Sequence, residues 1–357
     1  MAKALIAMSG GVDSSLAAKR TIEMGFECIG CTMKLYNNED VGIDRSRTCC
    51  SLDDVEDARS VAFKLGMPYH VFNFSDDFKE NVIQNFVCEY EAGRTPNPCI
   101  ECNRCMKFEK LFERAKVLGC DYVVTGHYAR IEKIGDKFVL KKALDETKDQ
   151  SYVLYSFTQE HLAHTLLPLG GLAKTEVRKI AGESGFVNAD KPDSQDICFV
   201  PDGDYATFIR NYTGHDYPAG NFVDEEGHVL GRHTGIIGYT VGQRKGLGIA
   251  FGKPMYVKKV NPADNTVVLC ENEKLFSRVV IADRFNWISG EAPEGDIRCS
   301  AKIRYRHKEQ PATATVLPDG KVKILFDEPQ RAITPGQSAA LYDGDIVLGG
   351  GIIVGME

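Results

Sequence analysis

The chain has 357 residues, 43% of them hydrophobic and 26% charged, which suits two or three domains around a well-buried core. Its formal net charge of −7 excludes a globally basic nucleic-acid binder, so any RNA contact must come from local patches. No apolar run reaches membrane-spanning length, and the start, MAKALIAMSGG, is too short for a secretory signal, so we expect a cytoplasmic protein without membrane contact.

KALIAM (Lys3–Met8) reads as a buried strand, followed by a helix from about Ser14 to Met24. FECIGCTMKL (Phe26–Leu35) is a second strand. SLDDVEDARSVAFKLG then opens with Ser51 as a cap and puts Val55, Ala58, Ala62 and Leu65 on one helical face. PYHVFNF (Pro68–Phe74) is a third strand. A helix beginning near Arg104 carries Phe108, Leu111, Phe112, Ala115 and Leu118 as its apolar stripe, and DYVVTGHYARI (Asp121–Ile131) reads as a fourth strand. Strands alternating with helices predict an α/β fold with a doubly wound parallel sheet, its ligand lying beyond the carboxyl ends of the strands.

After about Phe199 the character changes. Glycines and prolines become frequent, and short β-rich runs replace helices, among them PMYVKKV, NTVVLC, RVVIADRFNWI and SAALYDGDIVLGGGIIV. Pro318–Gly320 between two such runs signals a hairpin. The expected organisation is 1–200 as the nucleotide-binding α/β part, 201–275 as a small β unit, and 276–357 as a C-terminal β-barrel.

Ser9–Ser15, SGGVDSS, follows the first strand and opens the first helix. Gly10 and Gly11 let an anion approach the backbone, the serines add hydroxyls, and the helix N-terminus favours a phosphate or pyrophosphate. Asp13 could hold a Mg²⁺ bridging phosphate oxygens. No Lys closes the loop, so it is not the P-loop of kinases and GTPases.

The loop resembles the PP-loop of ATP pyrophosphatases, which cleave ATP to AMP and pyrophosphate while adenylating a carbonyl oxygen. The resemblance continues through TMKLY, GRTPNPCIECN, TGHYARI, KDQSYVLY, SQDICFVPDGDY, TVGQRKGLGI, IRYRH and TPGQSAALYDGDIVLGGGII. In that order these look like a bacterial-type tRNA-specific 2-thiouridylase, with an adenine nucleotide alpha hydrolase-like N-terminal fold. The resemblance implies ATP at Ala7, Met8, Ser9, Gly10, Gly11, Val12, Asp13 and Ser14, with Met33 on the adenine and Gly126 against the nucleotide. It also implies conversion of the wobble uridine of Lys, Glu and Gln tRNAs to 2-thiouridine.

Cys99, Cys102 and Cys105 stand at Cys-x-x-Cys-x-x-Cys spacing, which alone leaves metal, disulfide and nucleophile open. By resemblance, Cys198 carries a persulfide and Cys102 resolves it, leaving a Cys102–Cys198 disulfide for a reductant to reopen. A persulfide-donating relay protein or cysteine desulfurase is then an expected partner. The family pattern has Asp where Cys99 stands, so no general base is expected there. Cys99, Cys102 and Cys198 could instead hold an iron–sulfur cluster with one open iron, or zinc could use the Cys-x-x-Cys pair. Cys49–Cys50 reads as a loop–helix junction, and Cys28, Cys31, Cys88, Cys120, Cys270 and Cys299 read as core.

RCSAKIRYRHK (Arg298–Lys308) has five Lys or Arg residues and no acid. On a strand, Lys302, Arg304 and Arg306 would share a face suited to phosphates, with Tyr305 stacking or turned inward. A solvated basic edge strand is the plainer reading. The resemblance favours tRNA, and adds Pro98, Cys99, Ile100, His127, Lys148, Asp149, Gln150 and Gln337 as tRNA-side positions.

Overall fold

A computed structural model describes residues 1–37, 52–192, 197–250 and 252–356. Cys49, Cys50, Ser51 and the Ser194–Asp196 part of SQDICF lie outside the described residues.

The N-terminal part is a five-stranded parallel sheet of β1 (Lys3–Ala7), β2 (Glu27–Lys34), β3 (Tyr69–Asn73), β4 (Tyr122–Val124) and β7 (Thr165–Leu166), in the order β3-β2-β1-β4-β7. Alternation sorts its side chains onto two faces. Leu5, Cys31, Met33 and Val123 enter one core cluster, while Ala4, Ile6, Cys28 and Val124 enter another. Helix α1 (Val12–Glu23) and helix α2 (Leu52–Lys64) help cover the second face. The strand order reverses between β1 and β4, so the crevice beyond those two ends is where an open α/β sheet takes its ligand.

The expected fourth strand is only half right. It stops at Val124, and Thr125–Tyr128 lead the chain out of this sheet. Ala129–Ile134 (β5) and Lys137–Lys142 (β6) then form a hairpin across the two-residue turn Gly135–Asp136, with Gly135 at φ +60°. That hairpin joins the C-terminal barrel through Ile346 opposite Lys141 and Val347 opposite Leu140.

The barrel strands are β12 (Phe276–Trp287), β13 (Asp296–Lys302), β14 (Gln310–Val316), β15 (Val322–Arg331), β16 (Ser338–Asp343) and β17 (Ile346–Met356). They run β12-β15-β14-β13-β16-β17, and β17 pairs back onto β12 to close the ring antiparallel. Closure removes free sheet edges. Pro318–Gly320 lies in the expected β14–β15 turn. Between the two parts sits a four-stranded sheet of β8 (Gly220–Val223), β9 (Val229–His233), β10 (Tyr256–Asn261) and β11 (Thr266–Cys270), in the order β10-β11-β8-β9. Of the cysteines read as core, Cys28, Cys31, Cys120, Cys270 and Cys299 are buried. Cys88 is exposed, because it sits on the outer face of helix Gln84–Glu91.

Candidate active site

Helix α1 begins at an uncapped end. Its N-cap, Gly11, offers no side-chain hydrogen bond, so the first-turn amides keep the unpaired donors that suit an anion. The loop before it is tightly held. Met8 N–H donates to Cys31 O (2.7 Å), and the Thr32 hydroxyl donates to Met8 O (2.6 Å). Ser14 donates to Gly11 O (2.9 Å), and Ser9 N–H donates to the Ser14 hydroxyl (3.2 Å). Gly10 has φ +75°, and a Cβ there would lie 2.7 Å from Asp54 Cα, so both conformation and space demand glycine. Asn188, buried, clamps the loop from outside by donating to Gly10 O (2.9 Å) and Ser15 Oγ (3.0 Å).

Asp13 is the surprise. Lys174 Nζ lies 2.7 Å from each of its carboxylate oxygens, and the Tyr128 hydroxyl donates to Oδ1 at 2.7 Å. A Mg²⁺ on Asp13, expected from the sequence, does not fit this arrangement, since the cation would have to displace an ammonium already spanning both oxygens. Asp13 instead holds Lys174 beside the uncapped helix end. Gly126 packs directly on the start of α1. A Cβ there would come within 2.8 Å of Asp13 C and 2.9 Å of Ser14 N, so its missing side chain admits the backbone of α1.

His127 is buried, not presented to solvent. Its Nδ1 is 2.7 Å from the Thr125 hydroxyl and its Nε2 is 3.5 Å from Lys107 Nζ. Burial, and then the Lys107 charge, hold it far below the ordinary histidine value. Gln150 fixes the same segment by accepting from Tyr128 N–H (2.9 Å) through its side chain and donating to Tyr128 O (2.8 Å) from its backbone.

The three clustered cysteines lie on one helix that starts earlier than expected. Asn97 caps it by accepting from Cys99 N–H (3.1 Å), and Pro98 takes the first turn, where it lacks only an N–H the helix does not use. Pro98–Glu101 is α-helical, Cys102–Lys110 is π-helical, and Leu111–Val117 is α-helical again. Pro98, Ile100 and Cys105 point inward, Cys99 faces out, and Cys102 is half-buried. Burial raises the Cys102 thiol, and Lys107 opposes that rise. Cys198 is also half-buried, its carbonyl accepting from the Tyr36 hydroxyl (2.7 Å) just past the end of β2. Both thiols pack against one extended core cluster that runs from the parallel sheet into the barrel.

A family model described as "tRNA methyl transferase HUP domain" matches residues 2–202, and models described as a PRC-barrel domain and an aminomethyltransferase beta-barrel domain match 206–271 and 277–353. A protein of Clostridioides difficile (strain 630) named tRNA-specific 2-thiouridylase MnmA is 53% identical over 98% of this chain and 98% of its own. One of the same name from Acetivibrio thermocellus is 52% identical over 98% and 99%. The chain belongs to the tRNA-specific 2-thiouridylases. That family consists of tRNA sulfurtransferases. Among solved structures, a 4-thiouridine synthetase–RNA complex with bound ATP aligns at TM-score 0.37 and 23% identity, over 56% of this chain and 45% of that one, a likeness too slight to carry weight.

In this thiouridylase the tRNA-side expectations divide. Strand β13 ends at Lys302, so Lys302, Arg304 and Arg306 do not form one strand face. Arg304 turns inward, its guanidinium donating to the carbonyls of Arg331 (3.1 Å) and Ala332. Tyr305 remains exposed, with Cys99 and Asp149 as electrostatic neighbours and the Tyr152 ring 6.0 Å away. Gln337 spends its amide group inside the protein, donating to Thr95 O (2.8 Å) and Pro96 O (3.3 Å), and so ties the barrel to the approach of the cysteine helix. Asp149 caps its own turn, accepting from Ala143 N–H (3.0 Å) and the Ser151 hydroxyl (2.8 Å). Lys148 lies in that same turn, its N–H donating to Asp145 O (3.0 Å). Met33 is buried at the end of β2, opposite Phe72.

Among the described residues, the one set of His, Cys, Asp or Glu ligand atoms converging within 4.8 Å is Asp224, Glu226 and His228. Cys99, Cys102 and Cys198 do not converge that tightly. The sequence reading missed Lys107, Tyr128, Lys174 and Asn188. Each belongs to the site through a tertiary contact that no local motif announces.

Two buried and two half-buried histidines set a pH dependence. His127, His161, His233 and His307 are all held below the ordinary value of 6.5, chiefly by burial. The unfolded chain therefore binds protons near pH 6.5 that the folded chain refuses, so stability is lost as pH falls below that value. Each histidine that stays neutral costs up to about 1.4 kcal/mol per pH unit in that range. His228, raised by Asp224 on the surface, acts in the opposite direction. Urea unfolding should show a lower midpoint near pH 5.5 than near pH 7.5, with a shallower loss in His127→Gln. Equal midpoints at the two pH values would contradict the burial of these groups.

Proposed function

We propose that this thiouridylase makes 2-thiouridine at the wobble position of Lys, Glu and Gln tRNAs, using ATP to activate the base and the Cys198–Cys102 pair to deliver sulfur. What supports this is a glycine loop leading into the uncapped start of α1, together with two half-buried cysteines, Cys102 and Cys198, in a chain of the 2-thiouridylase family.

ATP seats its phosphates at the loop Met8–Ser14. The uridine leaves its stack to bring C2 into reach, since a paired or stacked base shields that carbonyl. The C2 oxygen attacks the α-phosphorus, pyrophosphate leaves, and the oxygen becomes part of an AMP leaving group. The terminal sulfur of a Cys198 persulfide then attacks C2, AMP departs, and the base is joined to Cys198 through a disulfide. The Cys102 thiolate attacks Cys198 Sγ. A Cys102–Cys198 bond forms, the bond to the transferred sulfur breaks, and its electron pair leaves with the 2-thiouridine. A thiol reductant reopens the disulfide, and a relay protein or cysteine desulfurase reloads Cys198.

The test is a single turnover with ATP and tRNA, measuring pyrophosphate and 2-thiouridine together. Pyrophosphate release that depends on tRNA and matches thiolation supports the reading. Release without tRNA points to a small-molecule substrate. Lys302, Arg306 and Lys308 beside Tyr305 suit tRNA phosphates, and about four phosphate contacts would weaken binding about a hundredfold between about 50 and 200 mM salt. A flat salt response would argue against tRNA at this face.

A further inference from the structure

We propose that Lys107 is a positioning residue for the Cys102 sulfur, with its ammonium seated on His127 and aligned with Cys102 by the π-helical register. The inference rests on the reading of Cys102 as the resolving thiol.

In an α-helix, residues five apart diverge by about 140° around the axis. A π-helix bonds residue i to i+5, which stacks those two roughly one turn apart on the same side. Cys102 opens the π-helical segment and Lys107 stands five residues on. The wider register persists to the end of the segment, where Leu111 N–H still bonds Met106 O.

His127 fixes the other side of the ammonium. With the Thr125 hydroxyl 2.7 Å from Nδ1 and Lys107 Nζ 3.5 Å from Nε2, a neutral ring donates to Thr125 and accepts from Lys107. Burial keeps that ring neutral, so it can accept but does not compete for the thiolate as a cation. Thr125 follows β4, so the lysine is anchored to the sheet edge rather than left to wander as a surface side chain.

The titratable and charged groups acting on Cys102 among the described residues are few. Lys107 lowers its thiol against the effect of burial, and Cys105, on the same helix, is pushed up to about 11 and stays a neutral thiol. His127 reaches the site from β4. The Cys102 proton leaves to solvent when the thiolate forms, and Lys107 keeps its own protons throughout. A cation on the same helical side as a half-buried thiol favours its thiolate, and so its nucleophilic form, near neutral pH.

The test is peptide-resolved alkylation of Cys102 by iodoacetamide across pH, in the full-length chain. Lys107→Met should slow alkylation near neutral pH about tenfold and move the profile upward, and Lys107→Arg should restore most of the rate. The Cys105 profile should not move, and tRNA-dependent pyrophosphate release should persist while 2-thiouridine formation falls about tenfold. If Lys107→Met does not fold, Lys107→Gln is read by the same criteria. An unchanged Cys102 profile, in a chain that Cys102→Ser inactivates, overturns the role of Lys107 alone. Full thiolation by Cys102→Ser overturns the reading beneath it.

Discussion

Cys102→Ser and Cys198→Ser should each lower single-turnover 2-thiouridine formation by about a thousandfold or more, while tRNA-dependent pyrophosphate release continues. The reason is a division of labour within the site. In the proposed reading adenylation takes place at the loop after β1 and the uncapped end of α1, neither of which includes a thiol. The proposed sulfur transfer uses Cys102 and Cys198, which pack against the other core cluster. The two variants should differ in what they trap. Cys198→Ser gives no covalent sulfur adduct, whereas Cys102→Ser leaves the base joined to Cys198 through a disulfide. Mass spectrometry of the quenched reaction distinguishes them. Loss of pyrophosphate release in both variants would mean that the thiols serve the adenylation step, contrary to this division.

Gly126→Ala should also be damaging, though by up to about a hundredfold rather than a thousandfold, and without touching a reacting group. A Cβ at 126 would press on Asp13 C and Ser14 N at 2.8 and 2.9 Å, where only backbone can yield. Helix α1 must then move by part of an ångström, carrying its first-turn amides and the Asp13 carboxylate with it. Displacement of about 1 Å in a positioning element costs about a hundredfold in rate. Pyrophosphate release and thiolation should fall together, with the larger part in kcat, while the thermal midpoint drops by only a few degrees. Normal activity in Gly126→Ala would show that the loop tolerates such a shift.

Much of this architecture was legible in the sequence. KALIAM before SGGVDSS placed a buried strand, a glycine turn and a helix start in ten or so residues, and local geometry settles such a unit. PDG gave the β14–β15 turn for the same reason. The break at Thr125–Tyr128 was not legible from periodicity, because DYVVTGHYARI alternates well enough to pass for one strand. The signal that could have helped was Gly135–Asp136, a two-residue hairpin turn that requires a strand on each side.

The site shows the same limit. The family resemblance, not the cysteine spacing, named Cys102 as a reacting residue, and a Cys-x-x-Cys-x-x-Cys run says nothing of π-helical register. Lys107 was therefore invisible as its neighbour. Asp13 was recognisable as a loop acid, yet its partner Lys174 is 161 residues away and only folding brings the two together. Arg304 was misjudged because basic strand composition was taken for a surface. The strand ends at Lys302, and two backbone carbonyls turn the guanidinium inward.

The most direct measurement is one round of tRNA thiolation by protein purified without oxygen, with and without an iron chelator, alongside its visible spectrum and iron content. Colourless, iron-free protein that thiolates tRNA from a persulfide donor is the predicted result, and Cys99→Ser should then be tolerated. A visible absorption band, stoichiometric iron and chelator-sensitive activity would make Cys99, Cys102 and Cys198 cluster ligands and contradict sulfur delivery from Cys198.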